Sequence, residues 1–96
     1  MKFVQTISFS STRIDEIQAM AEQFEAEIGD NRGFGRTLIL KDRDRENAYM
    51  IVAEFESYDV AMENSGRPET DAFAKKMGEL VDGEISYRNY DVVDER

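Results

Sequence analysis

The spacing of apolar residues in this chain changes period several times, and the order of those changes restricts the possible folds more than any single motif. Phe3, Gln5, Ile7 and Phe9 alternate with Val4, Thr6 and Ser8, the period of two expected of a strand. Ile14, Ile17, Ala21, Phe24 and Ile28 then fall three and four apart, one stripe on a helix. Phe34 to Lys41 reads as a strand carrying Leu38, Ile39 and Leu40. Tyr49 to Phe55 is the strongest strand pattern, with Tyr49, Ile51, Ala53 and Phe55 on one face and Met50, Val52 and Glu54 on the other. A strand apolar on both faces belongs in the middle of a sheet or under a partner. Ser57 opens a helical pattern that is interrupted at Gly66 and restarted at Pro68, where proline suits a first helical position. Phe73, Met77, Leu80 and Val81 form its buried stripe, and Glu84 to Val93 reads as a final strand.

Strand, helix, strand, strand, helix, strand thus fills nearly all of the 96 residues. That order specifies an α+β, ferredoxin-like βαββαβ sandwich: one domain spanning residues 1–96, an antiparallel sheet with both helices on one face. A chain this short cannot also cover the second face. A second copy is the simplest cover, so a homodimer is expected. The connections fit the same plan. Ser10, Ser11 and Thr12 offer N-cap hydroxyls to the first helix, with Asp15 placed to close a capping box on Thr12. Gly29 ends that helix, Asp30–Gly33 forms the turn, and Gly83 stops the last helix. Lys41–Asn47 alternates in charge and reads as a solvated hairpin loop.

Three absences bound the chemistry. Without cysteine the chain has no disulfide, thiolate nucleophile or cysteine-held metal; without histidine it lacks the commonest general base and transition-metal ligand; tryptophan is missing too. Asp42, Asp44 and Glu46 do not form a calcium loop, because arginines alternate with them and the required glycine is missing. Gly33-Phe34-Gly35 precedes a strand rather than following one, so it is not a phosphate loop. Neither metal nor cofactor is expected. A net charge of −9 repels nucleic-acid backbones and anionic lipid, and no apolar stretch is long enough to cross a membrane. Met1-Lys2-Phe3 runs straight into strand pattern, so no signal peptide is expected and the expected location is the cytoplasm.

Candidate site residues cluster at the helix interruption. Asn64 can exchange hydrogen bonds with a polar oxygen of a ligand there, or simply cap the broken helix. Arg67 can hold a carboxylate or phenolate, or pair at the surface with Glu63 or Asp71. Glu54, set among apolar strand positions, is a general-base candidate if enclosed; otherwise it faces Arg36 or Arg88. Gln5 offers a pocket amide or a satisfied interface group. Phe73 and Tyr49 can line a pocket, although aromatics at these spacings are usually plain core or interface.

The run Tyr49-Met50-Ile51-Val52-Ala53-Glu54-Phe55-Glu56-Ser57 followed by a broken helix resembles the dimeric α+β-barrel superfamily. Asn64-Ser65-Gly66-Arg67-Pro68-Glu69-Thr70, with Phe73-Ala74 and the ending Arg88-Asn89-Tyr90-Asp91-Val92, is similar to bacterial members of its antibiotic-biosynthesis-monooxygenase-like branch. The resemblance implies a homodimer in which two sheets meet face to face, and a small pocket between helices and sheet in each protomer. Haem degraders of the superfamily use a histidine that would fall at Phe73 and an indole that would fall at Asn64; this chain has neither residue type, which argues against haem degradation and removes histidine-based isomerase or lactone chemistry. The quinone-forming oxygenases place Asn, Trp and Tyr around the substrate, and here Asn64 with Tyr49, Tyr87 or Tyr90 can supply all but the Trp. Three readings follow: a homodimer that binds a small, largely apolar or aromatic molecule; a cofactor-independent monooxygenase-like enzyme acting on a phenolic or enolic substrate; and a structural or interaction module without a ligand.

Overall fold

The structure, a computed structural model, describes residues 1–29 and 34–96. The strands are β1 (Phe3–Ser10), β2 (Phe34–Lys41), β3 (Ala48–Phe55) and β4 (Asp82–Asp91). The helices are α1 (Ile14–Ile28), α2 (Tyr58–Ser65) and α3 (Pro68–Leu80). The sheet order is β2-β3-β1-β4 and every pairing is antiparallel, so the strand that reads as apolar on both faces, β3, is one of the two central ones. The ferredoxin-like α+β arrangement expected from the periodicity is the one observed, with its second helical segment divided into α2 and α3. None of the helices is long and apolar enough to cross a membrane among the described residues. The predicted turn at Asp30–Gly33 lies outside the described residues.

The helices cover the face of the sheet that carries the odd-numbered positions of β1 and β3. Two apolar clusters form there. Phe9, Ile17, Ile51, Met77 and Leu80 make one; Phe3, Ala53, Phe55 and Ala61 make the other. Ile17 and Met77 are essentially inaccessible to water. Stripes at helical and strand spacing thus meet as expected, each buried aliphatic side chain contributing about 1.5–3 kcal/mol.

Two boundaries differ from the sequence reading. The N-cap of α1 is Arg13, whose side chain makes no cap bond, so the capping box on Thr12 does not form. Ser11 does another job. Fully buried, its Oγ donates to the carbonyl of Leu80 at 2.7 Å and accepts from the Arg13 N–H at 2.9 Å, tying the end of α3 to the start of α1. A hydroxyl that satisfies two helix ends in the interior contributes more there than one exposed at a cap. Second, α3 ends at Leu80, before Gly83. Gly83 instead lies inside β4 at φ +83°, close to an irregularity in the pairing of β4 with β1.

The interruption between α2 and α3 falls at Gly66 and the helix restarts at Pro68, as the spacing predicts; its cause is Pro68. Ser57 caps α2, its Oγ accepting from the Val60 N–H at 3.2 Å. Gly66 has φ −84° and ψ −3°, open to any residue. Arg67 is extended (φ −76°, ψ 142°), as steric conflict with the following proline ring requires, and Pro68 has no N–H with which to continue a helix.

The opposite face of the sheet is paired in register but carries no helix. Val4 faces Glu54 and Tyr90, Thr6 faces Val52 and Arg88, and Leu38 and Leu40 face Val52 and Met50. Leu38 is 37% exposed, Leu40 43% and Tyr90 49%, so an apolar surface stands open on a small protein.

A candidate binding cavity between helices and sheet

The two core clusters do not close on each other completely. Between them lies a cavity of about 90 Å³, walled by the sheet on one side and by α1, α2 and α3 on the other. Gln5 and Ile7 of β1, Thr37 and Ile39 of β2, and Ile51, Ala53 and Phe55 of β3 form the floor. Ala21, Phe24 and Glu25 of α1, Asn64 of α2, and Thr70 and Phe73 of α3 form the roof. The lining is mainly apolar, with a few polar groups set into it, the usual composition of a small-molecule site.

The polar groups carry the information. Asn64 sits in the last turn of α2 at 6% exposure, and its backbone carbonyl accepts from the N–H groups of Gly66 and Arg67 across the break. Its side-chain Oδ1 is buried and has no hydrogen-bond partner within the protein. Thr70 Oγ1, in the first turn of α3, is in the same condition. A buried oxygen without a partner costs roughly 1–3 kcal/mol, and here two of them line one cavity. Both project from the two helix ends that Pro68 separates. Gln5 is satisfied differently, its Nε2 donating to Asn89 Oδ1 at 3.2 Å on the neighbouring strand.

Phe24 and Phe73 pack with ring centroids 4.9 Å apart and an interplanar angle of 47°. The same two residues also line an outer groove between α1 and α3, along with Met20, Gln23 and Lys76. The ring pair is therefore the partition between cavity and solvent. Both residues are only half-buried, so this wall has room to move outward.

No family model matches the sequence, and no curated protein matches it. Solved structures do. The cofactor-independent oxygenase SnoaB from Streptomyces nogalater, in an asparagine-to-alanine variant, superposes with a TM-score of 0.82 at 17% identity, covering 98% of this chain and 95% of its own. A putative antibiotic biosynthesis monooxygenase from Caulobacter crescentus gives 0.82 at 16% identity, covering 97% and 91%. Rv0793 from Mycobacterium tuberculosis gives 0.79 at 13%, covering 99% and 98%. The fold is the ferredoxin-like one that these antibiotic biosynthesis monooxygenase-like proteins share. At these identities the likeness extends to the fold alone.

Within this monooxygenase-like fold the candidates from the sequence separate by place. Asn64, Gln5 and Phe73 line the cavity. Tyr49 shares their face of the sheet but stacks on Phe9, ring centroids 5.9 Å apart, and belongs to the edge of the first core cluster. Glu54 is on the opposite face, where its Oε2 accepts from Arg36 Nε at 3.0 Å, the structural pairing weighed for it above. A carboxylate separated from the cavity by the sheet cannot serve as its general base. Arg67 is half-buried at the N-cap of α3 and is not among the described residues of the lining. Thr37, Thr70 and Glu25 reach the cavity without having been singled out from the sequence. Thr70 sits two residues after Pro68, so the proline that sets the helix start also sets which first-turn positions face the sheet.

Proposed function

We propose that this protein binds a small, largely apolar organic molecule in the cavity between its helices and its sheet, and does so as a homodimer closed over the open sheet face. The observation that carries the binding reading is the buried, unpartnered Oδ1 of Asn64 on an otherwise apolar wall. A buried acceptor with no partner in the protein is a cost that an apolar side chain of the same shape would avoid, and a donor on a bound ligand offsets it. Supporting the dimer are Leu38, Leu40 and Tyr90, exposed together with half-buried Val4, Met50 and Val52 on one face. Asn64, Gln5 and Phe73 are the proposed ligand contacts; Tyr49, Arg67 and Glu54 are outside this set.

An oxygenase reading has one point in its favour, the fold shared with SnoaB. Cofactor-free oxygen chemistry needs a substrate held as an anion. None of the described lining residues is a lysine or arginine to stabilise one, and Glu25 stands on the wall. Binding is therefore the better-supported function.

Native mass spectrometry of the protein as purified from cells, compared with a denaturing spectrum, tests this reading. The expected result is a dimer mass carrying a reproducible small-molecule increment that disappears on denaturation and is reduced in Asn64→Leu. A bare dimer, from cells and after incubation with aromatic probes alike, would contradict it.

A further inference from the structure

Size, charge and hydrogen-bonding capacity of the cavity together narrow what it can take. An apolar cavity of about 150 Å³ in another protein takes up one benzene ring. The cavity here is smaller, at about 90 Å³. A single ring already requires the half-buried Phe24–Phe73 wall to yield slightly; a fused two- or three-ring body would need the helices to part from the sheet. Charge is restricted as well. Glu25 is the one charged residue among the described lining residues, so an anion would be desolvated beside a carboxylate with no cation among those residues to offset it.

The unpartnered oxygens restrict the functional group. Asn64 Oδ1 is an acceptor only and needs a donor from the ligand; Thr70 Oγ1 can donate or accept. A hydroxyl is the smallest neutral group that donates and accepts through a single atom. Given that the cavity is the binding site proposed above, we infer that its ligand is a neutral hydroxyl compound no larger than one ring, and that Thr70 with Asn64 selects the hydroxyl. Thr70 is the more telling of the two, because its hydroxyl can be removed with almost no change in shape.

Amide-resolved NMR titrations of the intact protein at neutral pH with benzene, phenol, benzoate and 1-naphthol provide the test. Phenol is uncharged there, its pKa being about 10. Phenol is expected to saturate, shifting the amides around Asn64 and Phe73, and to bind roughly three- to tenfold tighter than benzene. Benzoate and 1-naphthol should not saturate over the same range. Thr70→Val should erase much of the preference for phenol over benzene without lowering the melting temperature, since it removes an unsatisfied buried oxygen, and Thr70→Ser should keep the preference.

Equal affinity for benzene and phenol would overturn the hydroxyl assignment while leaving an apolar binding cavity in place. Tighter binding of benzoate would overturn the neutrality, and tighter binding of 1-naphthol the size limit. An unchanged preference in Thr70→Val would remove Thr70 from the recognition. Saturation by none of the four would overturn both this inference and the binding function it rests on.

Discussion

At the scale of single residues, the hydroxyl and amide side chains of this protein divide into those the fold has satisfied and those it has not. Ser11 is of the first kind, bonded at once to Leu80 and Arg13 in the interior. Replacing it with alanine strands both partners, and urea denaturation of Ser11→Ala should show a loss of about 2 kcal/mol. Asp42 organises the hairpin loop in the same way, its carboxylate accepting from the Asp44 N–H at 2.8 Å and from Arg45 Nε at 3.1 Å. The Asp44 amide first, then the Arg45 side chain, hold its pKa below the ordinary value of 3.8. A depressed carboxylate stabilises the loop at pH values above that ordinary value and loses the effect as pH falls through its folded pKa. An NMR titration of the Asp42 carboxyl carbon should give a midpoint below 3.8, moving upward in Arg45→Ala. Asn64 and Thr70 are of the second kind. Residue type does not tell the two kinds apart: Ser11 reads as an ordinary N-cap hydroxyl and Thr70 is not singled out at all, and only the packing of α3 over the sheet makes one a tie and the other an orphan.

At the scale of elements, the break between α2 and α3 is the feature that builds the site, because it brings two helix ends over the middle of the sheet. Its cause is Pro68 acting on Arg67. Gly66 is not required: a Cβ there would meet only the carbonyl oxygens of Glu63 at 3.6 Å and Met62 at 3.9 Å, which is ordinary contact. Gly66→Ala should therefore leave the fold intact and stabilise it by about 0.5 kcal/mol, read as a small rise in melting temperature. Loss of more than about 1 kcal/mol would show that the break needs glycine after all. The strands and helices were legible because their apolar spacing is regular, and the alternation in β3 placed Ile51, Ala53 and Phe55 on one face from the outset. The same alternation put Glu54 on the other face, where it pairs with Arg36 away from the cavity. What periodicity does not carry is distance along a strand. Tyr49 and Ala53 share a face, yet one belongs to the Phe9 cluster and the other to the cavity floor.

At the scale of the whole molecule, the sheet has two faces and this chain dresses one. The bare face combines exposed leucines with the Arg36–Glu54 ion pair, a surface suited to a copy of itself. Sedimentation equilibrium at micromolar concentration should find a dimer, and the double variant Leu38→Glu, Leu40→Glu should be a folded monomer, since both positions lie outside the core clusters. A monomeric parent protein would leave the protomer fold untouched and remove the barrel. The division of labour is clear in physical terms. Helices on one face enclose the cavity and the proposed association uses the other, so a monomeric variant is expected to keep its site.

Whether the cavity beside Asn64 holds a small organic molecule is decided by a high-resolution crystal structure of the protein as purified and after soaking in phenol. The expected result is density for a one-ring or smaller molecule between Phe73 and the sheet, with a donor within hydrogen-bond distance of Asn64 Oδ1. A cavity filled only by ordered water in both crystals, or closed by inward movement of Phe24 and Phe73, would contradict it.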